Sequence, residues 1–416
     1  MFHQLFERPH ALKRQLTSPL LEDRLRYLMY CAEQGAVRST LRLLAHYQLV
    51  IIRHLHLTKT GAVTVHDIQA AATRWVRHQM RHSRHRGGFS QLSKGRFIWN
   101  ATNWLRYVGR LKLQPTPPIP PQVTAFADYM RKERGLSEET IGYRCREVQL
   151  FLNQIRQQGH TLARITIPQI DGILTKKLSQ RGHARRTIQT LAASLRVFFR
   201  YAESRHWCRP AIAVAIKAPR VYRHAALPSS PTWDEVKRLL RTTKGNRPAD
   251  IRDRAILLLF ALYGLRAGEV ARLRLEDLDW KQEIIHLTRS KGGRPQQFPL
   301  RPSVGQAIVR YLQEVRPRSN HRHVFLTLRA PIIPLPRGAL TALVSRRWKP
   351  LNVSIRHHGP HSLRHACATR LINQGVPLKT IADHLGHRDL EATRIYAKVD
   401  LPRLREVANF NIGGLL

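Results

Sequence analysis

Apolar positions recur at helical spacing through residues 122–207. Val123, Phe126, Tyr129 and Met130 fall on one face of a helix. Ser137 stands where an N-cap is expected, and Glu138 and Glu139 suit the first turn that follows. Between Thr140 and Gln158, Ile141 is followed by Val148, Phe151, Leu152 and Ile155, the last four at i, i+3, i+4 and i+7, and Gly159 can close that helix. A third helix is expected from about Pro168 to Gly182. A fourth, from Arg185 to His206, would bury Ile188, Leu191, Leu195, Phe198 and Phe199. Four helices with short connections predict a small bundle.

The pattern changes towards the C-terminus. Thr232-Trp233-Asp234-Glu235 fits the S/T-x-x-E capping box and predicts a helix to about Arg241. Ala255 to Tyr263 is apolar on all sides, as in a buried helix. Ile284 to Thr288 and Gln297 to Leu300 read as strands around the turn Lys291-Gly292-Gly293-Arg294. Helical patterns return from about Val304, His361, Pro377 and Asp389. The fold class expected is mainly α, with a small antiparallel β-sheet in the C-terminal domain. Residues 1–113 also look helical and carry no sharp motif.

Two stretches punctuate the chain. Residues 114–121 hold five prolines in seven positions, a stiff extended linker. Residues 219–230 form a basic tether with Arg220, Arg223 and His224. The domains expected are therefore 1–113, 122–218 and 231–416.

Charge narrows the partner. There are 71 Lys and Arg against 27 Asp and Glu, a net charge of +44. Residues 1–113, 114–225 and 226–416 carry about +14, +12 and +18, so the excess is not confined to one tail. Such a chain repels itself unless it meets a polyanion. Composition alone leaves nucleic acid, ribosomal RNA and acidic membranes open. The basic run from Arg77 to Arg96, with Arg84 and Arg86, suits phosphate contact, although a solvated face is the common reading of such a run. The longest apolar run, Ala255 to Leu265, is too short to span a bilayer, which needs about 20 residues. No secretory signal is seen at the N-terminus. The four cysteines are scattered without a CxxC, which fits a reducing cytosol and argues against a zinc knuckle.

The candidate chemistry lies in scattered polar positions. Arg266 follows a buried helix and a glycine, and Glu269 is three residues on, able to orient it. Lys291 sits at a hairpin tip. His361 and Arg364 are one helical turn apart and can converge on one phosphate. His387 follows Leu385-Gly386, where the glycine is placed to end a helix, and Tyr396 comes nine residues later. Singly, each has an ordinary explanation: a surface ion pair, an exposed turn lysine, a core tyrosine. His357, His361 and His365 are spaced by four with Cys367 nearby, but the surrounding arginines would repel a cation, so no metal site is expected.

Together, these stretches resemble the tyrosine recombinases of the phage integrase family. The resemblance rests on Gly264-Leu265-Arg266-Ala267-Gly268-Glu269, Lys291 in its hairpin, His361-Ser362-Leu363-Arg364-His365, Leu385-Gly386-His387 and Tyr396-Ala397-Lys398-Val399. Order and spacing agree across residues 231–400. Residues 121–210 resemble the family's helical core-binding domain less specifically. One departure is Lys-Gly-Gly-Arg in the hairpin, where the family often has a second lysine and Arg294 stands here.

The resemblance implies a site-specific recombinase, an integrase or transposase of a mobile element. Tyr396 would be the nucleophile, Arg266 and Arg364 would bind the non-bridging phosphate oxygens, and Lys291 would protonate the leaving 5′-oxygen. His361 would accept the tyrosine proton, His387 would donate to the phosphate, and Glu269 would support Arg266. No cofactor, metal or ATP is expected. The expected partner is double-stranded DNA at specific recombination sites, bound by a homo-tetramer in the cytoplasm, at the nucleoid, with room for helper or co-recombinase proteins. Arg220, Arg223, Arg294, Arg84 and Arg86 are the DNA-contact candidates. A type IB topoisomerase would share the chemistry, and a DNA-binding partner without catalysis is the reading from another class.

Overall fold

The computed structural model describes residues 1–57, 61–82, 91–112, 119–179, 184–220, 230–289, 293, 295–329 and 331–386, the side chains of 79–82 and 91–92 excepted. The described chain is mainly helical, with one small antiparallel sheet and a two-residue parallel strand pair. By its packing it divides into two compact units, residues 113–225, and residues 1–112 with 226–416.

The unit at 113–225 is the expected bundle. Its helices are Pro121–Lys132, Glu138–Gln157, Ile167–Ser179 and Arg185–Ser204, with a short turn of helix at Ile212–Ala215 that the pattern did not announce. Phe126, Val148, Phe151, Ile188, Leu195, Phe198 and Phe199 fill its core. Pro121 begins a helix instead of ending the linker, because a proline at the first helical position gives up an N–H that has no partner there anyway. Ser137 is the N-cap residue, but its hydroxyl meets Thr140 Oγ1 at 2.9 Å and caps no backbone N–H. Arg220 is exposed.

The described part of residues 1–112 is mainly helical, with a short parallel strand pair, Val63–Thr64 with Leu111–Lys112, and a separate core built on Phe2, Leu28, Trp75, Phe97 and Trp104. Arg24 is buried there. Its Nη1 donates to Gln15 O at 2.8 Å, its Nη2 meets the Gln15 side-chain oxygen, and its guanidinium lies over the Phe2 ring. Burial lowers its pKa to about 10.

From residue 230 the capping box is realised. Thr232 Oγ1 accepts from the Glu235 N–H at 3.3 Å, and Glu235 Oε2 accepts from the Thr232 N–H at 2.7 Å, opening the helix Trp233–Arg241. The buried helix is Pro248–Tyr263, two turns longer at its start than the apolar run, because Pro248 and Asp250 make a favourable first turn. The sheet has three strands in the order Leu278–Asp279, Ile284–Thr288 and Pro295–Pro299, all antiparallel. The last strand starts two residues before its expected position, and the short first strand was not foreseen. The helices Pro302–Glu314, Arg337–Trp348, Pro360–Asn373 and Leu378–Leu385 complete the described part. Of these, Arg337–Trp348 is not among the elements the sequence pattern predicts. It contributes Leu340, Leu343, Val344 and Trp348 to the core around Pro248–Tyr263.

Candidate active site

The site is built where the buried helix ends. Gly264 caps Pro248–Tyr263 at φ +60°, the left-handed region that glycine enters without strain. An added Cβ there would lie 2.6 Å from Leu385 Cδ2. The chain thus turns sharply, and Arg266 becomes the N-cap residue of the next helix, Ala267–Arg272. Glu269 is buried and accepts from the Arg266 backbone N–H at 2.8 Å and from Arg266 Nη1 at 2.9 Å. That is the pairing the three-residue spacing predicted.

A second arginine shares the same carboxylate. Arg289, at the end of strand Ile284–Thr288, donates from Nη1 to Glu269 Oε2 at 2.9 Å and is itself buried. Burial alone would push the Glu269 carboxyl up. The Arg266 N–H, Arg289 and the Arg266 guanidinium outweigh it and hold the carboxyl below its ordinary value. Sequence reasoning missed Arg289. The available signal was an arginine directly after the strand Ile284–Thr288, two residues before Lys291.

The two elements that carry the later motifs converge here. On Pro360–Asn373, Arg364 is buried and donates from Nη1 to Gly264 O at 2.7 Å and from Nη2 to Leu385 O at 2.6 Å. The helix Leu378–Leu385 ends at Gly386, φ +65°, as the sequence implied. The last carbonyls of a helix have no partner within it. In this helix Gln296 Nε2 donates to Asp383 O at 3.0 Å, Arg289 Nη2 to His384 O at 2.5 Å and Arg364 Nη2 to Leu385 O, while Arg266 Nη2 donates to Gly386 O at 2.9 Å. Cations are also favoured at this negative end of the helix dipole. Three arginines and a glutamine therefore fix the turn that leads directly into His387.

His361, one turn before Arg364, is exposed, and its ring lies against His365 with centroids 4.4 Å apart. The protein atoms crowding His361, and then the charges of Arg364, His357 and Arg266, hold its imidazole below the ordinary value. His361 thus favours the neutral form, which can accept a proton. His361 and Arg364 share a helix but not a surface: the imidazole reaches solvent, while the guanidinium is turned inward onto carbonyls. Arg266 is about a quarter exposed, the most open of the three arginines. Cys367 is buried against Leu262 O, and burial pushes its thiol up to about 11.

Lys291, His387 and Tyr396 lie outside the described residues, as do Arg84, Arg86, Arg223 and Arg294. The structure brings together Arg266, Glu269, Arg364, Arg289 after strand Ile284–Thr288, and Gly386 at the end of Leu378–Leu385. Among the described residues no three His, Cys, Asp or Glu are grouped to hold a metal ion, and no helix is long and apolar enough to cross a membrane.

A buried carboxylate orienting Arg266, beside Arg289, Arg364 and His361, is a cationic arrangement of the kind that can hold an anion. Comparison with known proteins supplies the class. Residues 232–402 match the phage integrase family, and residues 123–206 match the phage integrase N-terminal SAM-like domain. The protein y4rF of Sinorhizobium fredii, named as an integrase/recombinase, is 33% identical over 291 residues, 69% of this chain and 68% of that one. Tyrosine recombinase XerD of Lacticaseibacillus casei is 30% identical over 284 residues, 66% of this chain and 92% of that one. A lambda integrase dimer bound to a COC′ core site matches 66% of this chain and 93% of its own at 17% identity, with a TM-score of 0.52, a likeness of fold. The chain belongs to the phage integrase family of tyrosine recombinases, enzymes that cut and rejoin DNA in site-specific recombination.

Proposed function

We propose that this enzyme is the site-specific recombinase of a mobile element, working through a 3′-phosphotyrosyl intermediate on Tyr396 and needing neither metal ion nor ATP. The observation that carries this reading is the network above, in which Arg266, Arg364 and the turn before His387 are held together by shared hydrogen bonds.

In the proposed reaction Tyr396 Oη attacks a backbone phosphorus. The Oη–P bond forms as the P–O5′ bond breaks. His361 takes the tyrosine proton, and Lys291 gives a proton to the departing 5′-oxygen. Arg266, Arg364 and His387 hold the non-bridging oxygens, where charge grows in the transition state. A phosphodiester is exchanged for a phosphotyrosine of similar energy, so a 5′-hydroxyl can attack it and reseal a strand. Glu269 keeps Arg266 aimed. On this reading a free-standing Arg364 is not required: its Gly264 and Leu385 contacts set the plane of its guanidinium.

Strand exchange between two duplexes requires four such cuts, hence a homo-tetramer on DNA. Residues 122–218 are proposed to grip the core site and 231–416 to cut it. Residues 219–230, with Arg220 and Arg223, would follow the backbone between them. Arg294, Arg84 and Arg86 are further proposed DNA contacts. A chain acting on chromosomal DNA would work in the cytoplasm at the nucleoid. The additional N-terminal domain, at 1–113, favours a mobile element over a housekeeping resolvase.

A direct test uses a nicked suicide duplex from the DNA flanking the gene. Wild type should form a covalent adduct that survives denaturation, in EDTA and without nucleotide. Adduct formation that depends on a divalent ion would contradict the proposal.

A further inference from the structure

Three segments carrying the proposed chemistry are remote in sequence: the helix after Arg266, the hairpin leading to Lys291 and the turn leading to His387. Arg289 touches all three. Its Nη1 donates to Glu269, which holds Arg266. Its Nη2 donates to His384 O, in the last helical turn before Gly386. Its Nε donates to Gln296 Oε1 at 2.6 Å across the hairpin, where Gln296 pairs in register with Leu287. Gln296 in turn donates to Asp383 O. The Phe298 ring lies 5.2 Å from the guanidinium carbon.

The geometry demands a guanidinium. All three nitrogens are used, each towards a different segment, which the planar fork allows and a lysine ammonium does not. Room for it depends on Gly386, since a Cβ there would lie 2.6 Å from Arg289 Nε. Burying a cation in this place is costly, and a well-packed apolar residue would often serve stability as well or better. The charge therefore calls for a reason other than stability.

We propose that Arg289 is a positioning residue, which sets Arg266, the strand pair Ile284–Thr288 and Pro295–Pro299, and the end of Leu378–Leu385 at a fixed spacing for catalysis. This rests on the reading of the site given above. Arg289 need not touch DNA; it acts through Glu269, Gln296 and the end of Leu378–Leu385.

The test uses full-length Arg289→Met, Arg289→Lys and the double variant Arg289→Met with Glu269→Gln, on nicked duplexes tiled across the DNA flanking the gene. Single-turnover adduct formation is measured at saturating DNA, beside DNA affinity and thermal melting. Arg289→Met should bind DNA within about threefold of wild type and form adduct roughly 100-fold more slowly, the scale of a misplacement near 1 Å. Arg289→Lys should recover only part of that rate. The double variant, which also removes the carboxylate charge that Arg289 shares with Arg266, should recover part of the melting temperature and be no faster than Arg289→Met. Variants that cut within threefold of wild type would overturn the proposal. So would a double variant that regains both stability and rate, or a loss of rate that merely follows lost DNA binding. A wild type that forms no adduct on any duplex would instead overturn the reading of the site, and this proposal with it.

Discussion

Replacing Gly386 by alanine tests the construction of the site at its narrowest point. The residue sits at φ +65°, and its new Cβ would fall 2.6 Å from Arg289 Nε, 3.0 Å from its Cδ and 3.1 Å from its Cζ. The left-handed backbone alone costs an alanine about 1–2 kcal/mol. The methyl also fits only if the guanidinium moves, and Arg289 is held on its other side by Glu269 and Gln296. Losing one hydrogen bond to a charged group costs about 1.5–3 kcal/mol. The two together predict roughly 2.5–5 kcal/mol. Gly375 is the control. It stands at φ +78°, yet a Cβ there meets nothing within 4 Å, so Gly375→Ala should cost only the backbone part. Urea unfolding of residues 232–385, followed by hydrogen-exchange mass spectrometry so that other domains do not contribute, reads both. Equal losses for the two alanines would refute the reasoning, because the contact with Arg289 would then have no energetic weight.

Other consequences are simpler to read. Thr232→Ala should cost about 1 kcal/mol in the same urea experiment by removing a capping box, and Thr232→Ser should restore most of it. His365 and His384 are held down to about 4, by burial first and then by the ionisable groups around them: His361, Arg364 and His357 for the former, and Arg289, Arg301 and Arg364 for the latter. Between about pH 6.5 and 4 the unfolded chain takes up protons that these native rings refuse. Stability should therefore fall as the pH drops through that window and level off below it, and His384→Phe should flatten the slope in acid melts. The Cys367 thiol, buried and pushed up to about 11, should resist iodoacetamide at pH 8 in the native protein and react once it is unfolded, as mass spectrometry of the labelled peptide would detect.

Local pattern made much of this fold legible. The helices of 122–207 were readable from one apolar face each, and the Thr232 box, the Gly386 cap and the Arg266–Glu269 pair from spacings of three or four residues. These are short-range features, decided within one or two turns. The helix Arg337–Trp348 was not readable, because its apolar residues acquire a single direction only from the core they enter. Arg289 was hidden for a related reason: its partners Glu269 and His384 are 20 and 95 residues away, and in sequence it is one arginine in a strongly basic chain. Arg364 stood out in sequence, but its inward orientation follows from two carbonyls, on Gly264 and Leu385, supplied by other elements. Residue types at fixed spacing singled out Arg266, Glu269 and Arg364; the network that joins them is long-range.

The central claim is that one tyrosine carries the DNA. The most direct measurement is mass spectrometry of the covalent complex trapped on a nicked suicide duplex, digested to locate the modified peptide. The account predicts a 3′-linked nucleotide on Tyr396, and no complex from Tyr396→Phe, which should still bind the duplex. A nucleotide on any other residue, or an adduct that persists in Tyr396→Phe, would contradict it.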